Sequence, residues 1–155
     1  MTRKRRDLLQ QTLTAAPLAA LCAAGLLPAR LLADWPQAAF DAEQLDEVQR
    51  LLFGVQVAED SDRIKIDAPE IAENGRVVPV EVSIDLPEPQ TLVLLSDANP
   101  DPLLARARFT PDVEPELSMR VKLGESANLI ALVQADGGLY RASRAVKVTS
   151  GGCGG

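Results

Sequence analysis

From Val78 to Asp85 the chain alternates strictly: Val78, Val80, Val82 and Ile84 are apolar, while Pro79, Glu81, Ser83 and Asp85 are not. A period of two is the mark of a strand with one buried face. The same period carries Ile64, Ile66 and Ala68 against Arg63, Lys65 and Asp67, and Leu117, Met119, Val121 and Leu123 against Glu116, Ser118, Arg120 and Lys122. Leu92 to Leu95 is instead a continuous apolar run, which predicts an interior strand. Ala105 to Phe109 is a weaker strand, and Ala127–Ala135 and Leu139–Val148 are the last two, joined through Asp136, Gly137 and Gly138 as a hairpin. Pro79 has no N–H for a ladder, so its strand is expected at an edge or with that position exposed. Asn74 and Gly75 supply a further turn signal. Seven short strands over residues 63–149 predict a mainly β fold, an immunoglobulin-like antiparallel β-sandwich.

Ahead of the strands the period is helical. Phe40, Leu45, Val48, Leu51 and Leu52 recur at near-helical spacing, with Asp41 and Glu43 early, Arg50 late and Gly54 as a stop, so one amphipathic helix is expected over about 37–53. Residues 34–62 form this N-terminal helical segment.

The first 33 residues do not belong to the domain. Arg3, Lys4, Arg5 and Arg6 precede an apolar stretch from Leu13 to Leu27, and Leu31, Leu32 and Ala33 could end at a signal-peptidase site. The stretch is shorter than the roughly 20 residues a spanning helix needs, and Pro17 interrupts it, so export with cleavage is expected rather than anchoring. Arg5 and Arg6, followed by Asp7, Leu8, Leu9 and Gln10, resemble a twin-arginine signal, with departures at Lys4, Leu8 and Gln10; the general secretory route is the alternative. Leu21 before Cys22 is a poor fit to a lipoprotein cleavage site. Removal of residues 1–33 leaves 11 basic and 21 acidic side chains, a formal charge of −10. That charge speaks against nucleic acid and anionic membranes and for basic protein surfaces.

Candidate chemistry is sparse. No histidine is present, which removes the commonest general base, the usual metal ligand and the Ser-His and Cys-His pairs. Once the leader is gone Cys153 is the only cysteine, and an unpaired thiol in an oxidising compartment is a liability unless it is used. Gly151, Gly152, Gly154 and Gly155 surround it without side-chain bulk. Residues 150–155 are thus expected to form a flexible arm with a reach of ~20 Å. The arm is hinged at about Thr149 and carries its cargo on Cys153; a tail with an incidental cysteine, a cloning scar, or an intermolecular disulfide are the other readings. A free thiol near pH 7 is only a few per cent ionised. The nearest cation in sequence is Lys147, so activation is expected from a partner's pocket. Asp97, Asn99 and Asp101 do not make an EF-hand loop, because prolines intervene and the turn glycine is missing. Glu70 and Glu73 read as ordinary surface carboxylates.

Residues Pro69 to Gly75, then Val77 to Val80, Asn99, Pro100, Pro102, Leu103, Gly138 to Tyr140, and the closing Val146 to Ser150 with GGCGG, resemble the SoxY family of sulfur carriers in bacterial thiosulfate oxidation. GGCGG is the most specific element of that resemblance; Ser150 departs from it, an apolar residue being common there. The resemblance implies a periplasmic carrier, not itself an enzyme and without intrinsic cofactor or metal, that holds sulfur intermediates covalently on Cys153. It also implies a SoxZ-like β-sandwich subunit as partner, and transient docking to SoxAX-, SoxB- and in some organisms SoxCD-like enzymes. The contrasting reading is an exported structural sandwich whose Cys153 makes a disulfide to another chain.

Overall fold

The computed structural model describes residues 36–149. Two short helices lead: α1 (Gln37–Phe40) and α2 (Leu45–Phe53). Nine strands follow: β1 (Glu59–Asp60), β2 (Ile64–Asp67), β3 (Ile71–Ala72), β4 (Val78–Ile84), β5 (Pro89–Ser96), β6 (Leu103–Arg108), β7 (Glu116–Val121), β8 (Ala127–Ala135) and β9 (Gly138–Val148). The larger sheet has the order β1-β9-β8-β5-β6, with β3 also on β9; the smaller is β2-β4-β7. Together they form the immunoglobulin-like sandwich expected from the alternating pattern, and the seven longer strands are those the pattern marks.

The continuous run in β5 has a simple cause. Leu92 and Leu94 face the space between the sheets, while Val93 and Leu95 face the helices on the other side of the larger sheet. All four are at most 2% exposed, so no polar position interrupts them. Between the sheets lie Val78, Val80, Val82, Leu129, Ala131 and Val133; beneath the helices lie Ala39, Ala42, Val48, Leu132 and Leu139.

The single helix expected over 37–53 is two, broken at residues 41–44. Ala39 and Val48 are both buried against the larger sheet. Nine residues at about 100° each would put them on opposite faces of one continuous helix, so the break resets the phase and lets both point inward. Asp46 and Glu47 in the first turn of α2 and Arg50 in its last suit the helix dipole. Gly54, at φ 71°, ends it by donating to the Arg50 carbonyl at 2.9 Å.

The strand carrying Pro79 is not an edge: β4 lies between β2 and β7. The missing N–H is tolerated because β2 ends at Asp67, opposite Glu81, so Pro79 is paired only with Arg120 and is exposed. Asn74 is a turn residue, its Oδ1 accepting from the Arg76 N–H at 2.9 Å. Asp136 (φ 46°) and Gly137 (φ 72°) form the two-residue turn between β8 and β9, of the type whose twist matches the strands. One flank of the sandwich is closed where β2 packs on β9; on the other, β6 and β7 end their sheets without a further strand among the described residues.

Candidate functional site at the root of the C-terminal arm

β9 is the longest strand and the last element before the C-terminal segment. Antiparallel β8 pairs along one side of it from Ala127↔Val146 to Ala135↔Gly138. On its other side two short parallel bridges hold it, β1 at Tyr140 and Arg141 and β3 at Lys147 and Val148. The final residues are latched individually. The Lys147 N–H donates to the Glu70 carbonyl at 2.9 Å, the Val148 N–H to Ser126 Oγ at 3.0 Å, and the Thr149 N–H to the Ala72 carbonyl at 3.1 Å. Val146, 2% exposed, anchors the same stretch in the core. Three consecutive donors satisfied from two directions hold the backbone in place up to its last described residue.

Three loops gather at this end of the sandwich. The loop after β5 is tied down by side chains that replace backbone partners. Asn99 donates to the Lys122 carbonyl at 2.8 Å and accepts from the Gly124 N–H at 3.2 Å, and both carboxylate oxygens of Asp97 accept from Asn128 at 2.7 Å. Asp97 and Asn99 are thereby committed to structure. Beside the root is an open groove of about 500 Å³ lined by Asp97, Glu125, Ser126, Asn128, Val146 and Lys147, among others. Among the described residues no group of His, Cys, Asp or Glu has the arrangement of a metal site, and no helix is long and apolar enough to cross a membrane. Glu70 and Glu73 are both exposed, and what Glu70 contributes to the root is its carbonyl.

The residues singled out in the sequence, Cys153 with Gly151, Gly152, Gly154 and Gly155, and Arg5 and Arg6 near the N-terminus, lie outside the described residues, as does Cys22. What the sequence reading missed is the latch. Ile71 and Ala72 are too short a strand to show a period, and Ser126 acts through its hydroxyl from a loop; neither leaves a signal in the pattern.

This architecture, a small sandwich with a helical layer on one sheet and a final strand pinned up to its last described residue, defines the described residues as an immunoglobulin-like domain. The model of the family described as sulfur oxidation protein SoxY matches residues 49–153. Among solved structures, the sulfur carrier protein SoxY from Chlorobium limicola f thiosulfatophilum is similar at 41% identity, covering 69% of this chain and 97% of that one with a TM-score of 0.64. A superoxide reductase (neelaredoxin) from Ignicoccus hospitalis is similar at 25% identity over 59% of this chain and 94% of its own, with a TM-score of 0.52, and its E23A form at 23% identity, 70% and 90% coverage, with a TM-score of 0.50. The latter likeness is one of fold. A comparison with curated proteins finds no match. The chain belongs to the SoxY family.

Proposed function

We propose that this protein is a sulfur carrier of thiosulfate oxidation, which holds its cargo covalently on Cys153 and presents it to separate enzymes. The observation that carries the reading is the extent of the family match: it runs to residue 153 itself, and Cys153 is the sole cysteine inside it. The pinned root supports it mechanically. A carrier needs a fixed point from which a short peptide reaches out, and the latch at Lys147 to Thr149 is such a point. Three residues, Ser150, Gly151 and Gly152, separate Thr149 from Cys153, and the four backbone steps span at most ~14 Å.

The chemistry on the thiol belongs to partners, which supply the groups that activate it. Loading joins the Cys153 sulfur to the sulfane sulfur of thiosulfate. One proton and two electrons leave, and the electrons pass to a haem enzyme of SoxAX type. Hydrolysis by a SoxB-like enzyme then cleaves the bond to the sulfonate group with water, releasing sulfate and leaving a persulfide on Cys153. A SoxCD-like dehydrogenase would oxidise the remaining sulfur. Ordering the glycine segment in a partner's pocket costs about 1–2 kcal/mol per fixed residue, which keeps each visit short. A SoxZ-like sandwich is the stable partner. Residues 1–33, with Arg5 and Arg6, act as a twin-arginine signal that exports the folded chain to the periplasm; residues 34–62 then form the helical segment, 63–149 the sandwich and 150–155 the arm.

The test is intact mass. Protein isolated from cells oxidising thiosulfate should carry sulfur-containing adducts that reducing agent removes and that map to Cys153, and Cys153→Ser should abolish both the adducts and thiosulfate consumption. Protein found only as disulfide-linked dimer, or a Cys153→Ser strain that consumes thiosulfate at the parent rate, would refute the reading.

A further inference from the structure

The segment that latches the arm root ends in a chemically labile pair. Asparagine is among the thermolabile residues, and the chain has three, Asn74, Asn99 and Asn128. The side-chain amide is lost when the backbone nitrogen of the following residue attacks Cγ. Asn99 is spared, because Pro100 follows it and has no N–H. Asn128 is followed by Leu129 inside β8, and its backbone N–H and its Nδ2 each donate to the Asp97 carboxylate at 2.7 Å. Asn74 alone of the three precedes a glycine, which puts no side chain in the way of ring closure.

The fold adds the conditions that this reaction needs. Asn74 is exposed, so water reaches its side chain. The Arg76 N–H donates to Asn74 Oδ1 at 2.9 Å, and is therefore already aimed at the oxygen on which charge develops when Cγ is attacked. The Gly75 N–H, which is the attacking group, makes no hydrogen bond among the described residues. The turn is closed only by a long bond from the Val77 N–H to the Asn74 carbonyl, 3.4 Å, which leaves it free to rotate.

We propose that Asn74 is a site of spontaneous modification, and that its isoaspartyl product releases the root of the C-terminal arm. The Gly75 nitrogen bonds to Asn74 Cγ as the Cγ–Nδ2 bond breaks, and the amide leaves as ammonia with the proton from Gly75. Water then opens the cyclic imide; no oxidant or reductant takes part. Opening at Cγ gives aspartate, whereas opening at the backbone carbonyl leaves the main chain running through Cγ as isoaspartate. The latter lengthens the backbone by one carbon, about 1.5 Å.

That insertion falls between two carbonyls with fixed partners. Ala72 accepts from the Thr149 N–H at 3.1 Å and Gly75 from the Leu123 N–H at 2.7 Å. Leu123 is fully buried in the core, while β3 is a strand of two residues with Ile71 exposed. The buried contact holds and β3 gives way. Lys147, which donates to the Glu70 carbonyl at the start of the same segment, loosens with Thr149. Val148 is tied from the other side by Ser126 Oγ and keeps its bond.

Peptide mass and hydrogen exchange test this on the full chain, kept for weeks in mildly alkaline reducing buffer. The tryptic peptide of residues 66–76 should gain the mass of an amide-to-acid conversion, and most of the product should resist cleavage at position 74 by a protease that cuts at aspartate. Asn74→Ser keeps an acceptor for the turn but cannot form the imide, and should show no such product. In the isoaspartyl form the Lys147 and Thr149 amides should exchange about tenfold faster than in fresh protein, with Val148 changed least. None of these readouts involves sulfur chemistry. A peptide left unchanged, conversion of Asn128 as fast as that of Asn74, or an isoaspartyl form whose Lys147 and Thr149 amides exchange as slowly as the fresh chain's overturns the proposal.

Discussion

Ser96 ends β5 fully buried, and its Oγ has no hydrogen-bond partner among the described residues. Its backbone is satisfied, the N–H donating to the Pro102 carbonyl at 2.9 Å, so the cost falls on the hydroxyl alone. Ser96→Ala is therefore expected to stabilise the protein by about 1 kcal/mol in denaturant unfolding, against the usual loss on changing a core residue. A loss of 1 kcal/mol or more would mean that the hydroxyl has a partner. Three residues further on, Asn99 shows the opposite economy: a polar side chain placed where two loops need one donor and one acceptor, and satisfied at both. Nothing in the spacing of Ser96, Asp97 and Asn99 separates these fates, because each is decided by strands and loops more than twenty residues away.

At the scale of elements, two glycines with φ near +70° stop or turn the chain, and they differ in ψ and setting. Gly137 sits in the left-handed turn after Asp136, a conformation that other residues adopt at a cost of roughly 1–2 kcal/mol. Gly54 combines φ 71° with ψ −138°, close to a region essentially reserved for glycine. A Cβ at either would meet nothing within 4 Å, so the difference is backbone strain alone. Gly54→Ala should accordingly lower stability by more than Gly137→Ala, about 2–3 against about 1 kcal/mol, as read from paired urea transitions. Equal losses would show that the turn after α2 relaxes freely. Both glycines are legible in the sequence as punctuation, and so are the seven longer strands. The break between α1 and α2 is not: Phe40, Leu45 and Val48 fit one helix, and only the need to seat both Ala39 and Val48 on the same sheet interrupts it.

At the largest scale the described residues make three layers, the helices covering the face of the larger sheet that the smaller sheet does not. Deleting residues 36–54 would leave Val93, Leu95, Leu132 and Leu139 without cover. The truncated chain is expected to bind a hydrophobic dye and to leave the soluble fraction; an exposed patch of this kind drives association. A soluble, dye-silent truncation would show that the helical layer is dispensable. The same layering accounts for how the side chains of the described body are used. Its side chains are spent on two apolar interfaces and on polar ties between loops, and its polar strand faces look into solvent.

The sequence by itself determined the class of the fold, because burial on one face of a strand writes a period of two into any chain that uses it, and it nominated Cys153 as the group on which the proposed function rests, because one cysteine among four glycines stands out from the rest of the chain. Only the tertiary structure decided how the last strand is held, which flank of the sandwich stays open, and that Pro79 belongs to a central strand. Those depend on which backbone groups meet across long separations, as Thr149 meets Ala72 and Val148 meets Ser126. Proline apart, every residue offers the same backbone donor and acceptor, so their partners leave no trace in the order of side chains.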